Sequence, residues 1–213
     1  MTGGDRLPPG VVAGLRGLAR PAARNSAGAG DADQERCDLC GALVPAEHRH
    51  MLELQERRIL CACETCAALR AGEDGLRPVG TRTLWLEDFD LPEELWAAFQ
   101  IPIGLAFFFR SSTTGGVVGL YPSPAGATEC ELHLQSWNAL VMANPVLAGL
   151  EPDAEALIVS RLAADAQYAI APIDECYRLV GLIKLSWEGI SGGNAVRNAV
   201  PGFFAELRQA AAA

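Results

Sequence analysis

Two groups of cysteines carry the clearest chemistry in this sequence. Cys37 and Cys40 form C-D-L-C, followed by Gly41; Cys61, Cys63 and Cys66 form C-A-C-E-T-C. Five of the seven cysteines therefore fall between Cys37 and Cys66. Thiolates are soft ligands, and four of them at tetrahedral positions hold zinc or iron. The first pair suits a tight knuckle, where a glycine lets the backbone fold back toward the sulfurs. The second pair suits the first turn of a helix. There, side chains at i and i+3 share a face and backbone N–H groups favour thiolate. Order and spacing assign Cys37, Cys40, Cys63 and Cys66 as the ligands of one ion. Zinc is the first choice, a rubredoxin-like iron site the second and an iron–sulfur cluster the third.

Cys61 is the odd member. It could replace Cys63, sit idle at a strand end or join a five-thiol site. His48 and His50 share a strand face and are the other candidate ligands. Two C-x-x-C pairs already fill four positions, so each histidine is expected to lie over the site or hydrogen-bond to it. Chance clustering of thiols explains the pattern poorly, because so small a module has too few apolar residues to hold together without a staple. Tetrathiolate zinc carries a formal charge of about −2. Arg36, Arg49, Arg57 and Arg58 can offset it.

The elements that must position these groups are legible nearby. Glu47–Leu54 alternates, Gln55 and Glu56 make a turn, and Arg57–Cys61 forms a second strand. Cys63 opens a helix over Glu64–Arg70 that stops near Gly72. The chain thus divides into a flexible arm and linker (1–35), a treble-clef or zinc-ribbon-like four-cysteine module (36–77) and an α+β domain (81–213). Within the arm, Val11–Arg20 could form one amphipathic helical turn.

The third part predicts a mixed, largely antiparallel sheet covered by helices. Thr83–Glu87 reads as a strand and Pro92–Phe99 as a helix with proline at its first position. Ile103–Arg110 is apolar on both faces and should be a central strand. Val117–Tyr121 follows across Gly115-Gly116 as its hairpin partner, and Pro122–Gly126 is a loop. Thr128–Leu134 alternates, with Cys130, Leu132 and Leu134 inward and Glu129, Glu131 and His133 outward on a solvated face. Trp137–Ala143 is a helix halted by Asn144-Pro145. Glu155–Arg161 and Tyr168–Ala171 are strands. Asp174 caps a buried helix from Glu175 to Trp187, with Cys176, Val180, Ile183 and Trp187 as its stripe and Leu179, Leu182 and Leu185 on other faces. Gly189–Gly193 leads to a last helix with Val196, Val200, Phe203 and Leu207 in register, which Pro201 should break or kink.

Nothing outside the cysteine module matches a catalytic template. Cys130 and Cys176 read as core thiols. The glycine-rich loops fit neither a Walker A nor a G-x-G-x-x-G pattern, and Ser191 lacks the G-x-S-x-G elbow. An enzyme would need a pocket collecting residues such as Tyr121, Glu129, His133, Asp174 and Tyr177.

The 213 residues include enough apolar material for a core, and the net charge is −9. An acidic surface repels phosphate backbones, so nucleic-acid binding is not expected. No apolar run approaches the ~18 residues of a membrane span, and no secretory signal is visible. The expected location is the cytoplasm, where thiols stay reduced and clustered cysteines serve metals.

Longer stretches extend the pattern. They include E-H-R-H at Glu47–His50, L-C-A-C-E-T-C at Leu60–Cys66 and I-P-I-G-L-A-F-F at Ile101–Phe108. Further on stand Y-P-S-P-A-G-A-T-E at Tyr121–Glu129, P-D-A-E-A-L at Pro152–Leu157 and P-I-D-E-C-Y-R-L-V-G at Pro172–Gly181. W-E-G-I-S-G-G at Trp187–Gly193 and F-F-A-E-L at Phe203–Leu207 complete the set. From Cys37 to Leu207 the chain resembles an uncharacterised bacterial domain-of-unknown-function family, found mainly in high-GC Gram-positives. Its genes often sit beside those for NiFe-hydrogenase subunits, a NifU-like protein and hydrogenase maturation factors. The resemblance implies a hydrogenase subunit or maturation factor as partner and supplies no activity and no ligand assignment. The expected function is a zinc-binding, non-enzymatic accessory or assembly factor. The alternatives are an iron electron carrier for a hydrogenase and an enzyme with an unrecognised site in the C-terminal domain.

Overall fold

The computed structural model describes residues 34–212, apart from 124, 131 and 187–192, with the backbone alone for 193–197. Nearly all of the expected arm, with its Val11–Arg20 turn, lies outside the described residues. So do Glu131, Trp187, Ser191 and most of the Gly189–Gly193 loop.

A small sheet comes first. Strands β1 (Arg49–Glu53) and β2 (Arg58–Ala62) form an antiparallel hairpin, and helix α1 (Glu64–Arg70) follows. Arg57 takes a positive φ of 50° at the turn. A third strand that the sequence did not announce, β3 (Leu76–Pro78), pairs with β1, giving the order β2-β1-β3. Three residues are too short a run for periodicity to register.

The larger sheet has six strands: β4 (Leu84–Trp85), β5 (Leu105–Arg110), β6 (Val117–Ser123), β7 (Gly126–Glu129), β8 (Glu155–Ser160) and β9 (Gln167–Pro172). Their order is β4-β9-β8-β5-β6-β7. Every neighbouring pair is antiparallel, so the sheet is not mixed. Strand β5 is central and buried on both faces, as its unbroken apolar run requires. Phe107 and Phe109 point to one side, into a core with helices α4 (Ile173–Ser186) and α5 (Gly193–Ala211). Phe108 points to the other, into a core with helices α2 (Glu93–Ala98) and α3 (Leu134–Ala143). The domain is α+β, with helices on both faces of the sheet.

Several local expectations change. Pro122–Gly126 is not an open loop, because β6 runs to Ser123 and β7 begins at Gly126. Strand β7 stops at Glu129, and Leu134 is the first residue of α3, largely exposed rather than in the core. Alternation through Leu134 mimicked a longer strand, but the chain turns into the helix once Leu132 reaches the core. Leu185 is 90% exposed on α4, outside the buried stripe of Cys176, Leu179, Val180 and Ile183. Helix α5 continues through Pro201, which costs it one backbone hydrogen bond; Val200, Phe203, Phe204 and Leu207 remain buried around that point. Pro92 stands one place before α2, at its N-cap. Among the described residues, no helix is long and apolar enough to cross a membrane.

The two sheets are packed together. Leu52 is buried in the same core as Phe107 and Phe109, with Leu54 and Ile59 against it. Arg57 lies over the Phe109 ring and pairs with Glu129 at 3.1 Å. The register sets Leu52 opposite Ile59 and His50 opposite Cys61. One face of the hairpin, carrying Ile59, Leu52, His50 and Cys61, therefore turns toward the large domain.

Candidate metal centre

The knuckle is built by backbone hydrogen bonds. Gly41 N–H donates to Cys37 O at 2.8 Å, and Cys37 N–H to Ala42 O at 2.8 Å. Gly41 has φ of 77°, a conformation that favours glycine. Asp38 then ties the knuckle to β2. Its N–H donates to Cys61 O, and its carboxylate accepts from Cys61 N–H, each at 2.8 Å.

The second pair is set by the start of α1. Cys63 has extended backbone geometry as the N-cap, and its Sγ accepts from the Cys66 N–H at 3.4 Å. Cys63 and Cys66 thus sit one turn apart, facing the knuckle. Helix α1 contains no buried residue. Packing alone gives a seven-residue helix little reason to persist.

Sulfurs from Cys37, Cys40, Cys63 and Cys66 all lie within 4.8 Å of one another, and Cys40 and Cys63 are 3.8 Å apart. A tetrahedral ion with metal–sulfur bonds of about 2.3 Å places its sulfurs about 3.8 Å from each other. The cluster has the size of such a site and could hold a metal ion. Its protons are unevenly held. Burial raises the Cys37 thiol, but hydrogen bonds from the backbone of Cys63, Leu39 and Cys40 outweigh it and bring the group down to about 6. Hydrogen bonds to the Cys40 and Cys63 side chains, followed by burial, hold the Cys66 proton up to about 12. A cation at the centre would replace the protons that keep the four sulfurs from repelling one another.

Cys61 falls outside that set. Its sulfur forms a second group with His48 and His50, whose ligating atoms again lie within 4.8 Å of one another. The two imidazoles meet edge to face, with centroids 4.8 Å apart. His48 Nδ1 lies 2.9 Å from Pro45 O, and His50 Nδ1 lies 2.7 Å from Asp174 Oδ2 on α4. The Asp174 hydrogen bond raises the His50 pKa against the opposing effect of burial. Burial, followed by the charges of Glu35 and Asp38, pushes the Cys61 thiol up to about 11. Sequence reasoning left Cys61 as an uncertain extra thiol of the first ion and set both histidines beside that site rather than in a site of their own. The signal for a separate grouping was the hairpin register, which sets His50 across from Cys61; His48, expected on the strand, stands one residue before β1 with its ring against that of His50.

Three of the residues considered for an enzyme have partners within the fold. Asp174 is engaged by His50, Glu129 by Arg57, and Tyr177 packs against the core beside Phe107. Two open clefts, of about 540 and 480 Å³, are lined by none of Tyr121, Glu129, His133, Asp174 and Tyr177. Cys176 is fully buried, and burial raises its pKa well above the usual thiol value. Cys130 packs half-buried beside Phe108, and burial raises its pKa too.

No curated protein and no solved structure matches this chain. One family's sequence model does match, over residues 36–211, which takes in the cysteine knuckle, both sheets and helix α5. The chain belongs to that family, the family of unknown function DUF5947.

Proposed function

We propose that this protein is a zinc-binding, non-enzymatic accessory or assembly factor. Its metal, held by Cys37, Cys40, Cys63 and Cys66, folds a treble-clef-like module over residues 36–77. That module presents a surface to a protein partner beside the α+β domain of residues 81–213. The observation that carries the reading is the convergence of four sulfurs, from the knuckle and from the first turn of α1, at the spacing of a tetrahedral centre. The helix whose N-terminus supplies two of them has no fully buried residue, as expected of an element stapled by an ion. The family resemblance supports a NiFe-hydrogenase subunit or maturation factor as the partner, in the cytoplasm of a high-GC Gram-positive bacterium.

Iron is the second reading, because a set of four thiolates at this spacing suits iron as well as zinc. Such a protein would be an electron carrier for a hydrogenase.

The test is affinity purification from the native host with metal analysis of the isolated complex. Stoichiometric zinc together with a hydrogenase component supports the proposal. Stoichiometric iron and a red oxidised protein support the carrier instead. A sample with metal but no hydrogenase component would defeat the partner and leave the metal centre standing.

A further inference from the structure

We propose that His48, His50 and Cys61 form a second metal site, separate from the four-cysteine centre, that binds a zinc-like divalent ion through two imidazoles and one thiolate. The argument begins with tautomers. A carbonyl oxygen can only accept, so the contact between His48 Nδ1 and Pro45 O places a hydrogen on Nδ1. In the neutral ring, Nε2 then carries a lone pair. That nitrogen is buried and has no hydrogen-bond partner, in a side chain only 4% exposed. A buried polar atom without a partner is costly, and a bound ion would satisfy it.

His50 is prepared in the same way from the opposite element. Its Nδ1 faces the Asp174 carboxylate at 2.7 Å, so Nδ1–H donates and Nε2 is the nitrogen left with a lone pair. A carboxylate behind a histidine fixes the ring and raises its basicity, which is the usual support for a metal-bound imidazole. Asp174 is itself held, since its other oxygen accepts from Glu175 N–H at 2.9 Å. The third ligand, Cys61, is His50's cross-strand partner, and its backbone is fixed by Asp38. Two nitrogens and one sulfur are a donor set that zinc accepts, and three protein ligands leave a fourth position for water or a small anion. His50 is partly exposed, so solvent can reach that side. Binding would displace the Cys61 thiol proton to solvent as the metal–sulfur bond forms.

The site would join parts of the fold that the first centre does not. The four cysteines tie the knuckle to α1; His50 and Cys61 lie on the hairpin face turned toward the large domain, with His48 packed against His50 and Asp174 on α4 behind it.

The experiment loads the full chain, reduced, with zinc alone. Metal content and X-ray absorption are then measured for the wild type, Cys61→Ser and His48→Gln. The expected wild type holds two ions per chain, with nitrogen ligands at about 2.0–2.1 Å beside sulfur at about 2.3 Å. Each variant should fall to one ion with a sulfur-only shell. A wild type with one ion and sulfur ligands alone would overturn the second site and leave the first intact. One ion with a mixed shell would overturn it too, because a histidine would then have joined the cysteine centre. Variants that keep both ions and the nitrogen ligands would equally contradict it. The wild-type reading decides even if a variant fails to fold.

Discussion

His50 and Asp174 lie 124 residues apart and share a 2.7 Å hydrogen bond that joins the cysteine hairpin to the N-terminus of helix α4. Both side chains are partly buried, and the carboxylate also accepts from Glu175 N–H; helix α4 starts at Ile173, so Asp174 lies inside its first turn rather than capping it as the sequence suggested. The small sheet is thus tied to the large domain by a polar contact beside an apolar one, where Leu52 and Ile59 meet the core.

Replacing Asp174 by Ala should remove both contacts at once. A hydrogen bond to a charged partner contributes about 1.5–3 kcal/mol, and the first-turn contact to Glu175 N–H about 1 kcal/mol more. Urea denaturation should show a loss within that combined range. Asp174→Asn should keep part of the contact to Glu175 N–H and lose less.

Removing the metal should loosen the module selectively. With a strong chelator present, amide exchange should rise about tenfold or more over residues 36–44 and 64–70. Leu105–Arg110, buried between two helical layers, should keep its protection. Uniform exchange across both regions would count against the stapled module.

Cys176 should resist alkylation in the native protein. The thiolate is the nucleophile, and burial, followed by the charges of Asp174 and Glu175, raises the pKa. Raising the pH from 7 to 9 should therefore leave Cys176 unmodified, and labelling should follow only on unfolding. Peptide mass mapping after iodoacetamide treatment reads this directly.

Gly119 has no room for a side chain. A Cβ there would stand 2.6 Å from Cys130 Sγ and 3.1 Å from the Phe108 ring. Gly119→Ala should cost about 1–3 kcal/mol by overpacking. Thermal unfolding of the Gly119→Ala, Cys130→Ala double variant should recover part of that loss, since the closest clash is gone.

The sequence was most legible where one local rule acted alone. Cys63 as the residue that opens α1, the double burial of β5 and the stop at Asn144 all follow from capping, periodicity and turn chemistry. It was least legible where tertiary packing decided. Leu134 fits an alternating strand, yet it starts a helix, and Pro201 sits inside α5, whose buried residues outweigh one missing hydrogen bond. For the candidate site, spacing brought Cys37, Cys40, Cys63 and Cys66 together as a set, and the structure places their sulfurs close to one another. The grouping of His48, His50 and Cys61 depends on strand register and on Asp174, far away in the chain, so spacing alone could not separate it from the first centre.

The most direct measurement is the zinc content of the reduced, purified full chain, compared with Cys40→Ser and Cys66→Ser. The wild type should carry at least one tightly held zinc ion in a four-sulfur shell, and each variant should lose that ion. A wild type that binds no stoichiometric metal, or variants that keep the four-sulfur ion, would contradict the account.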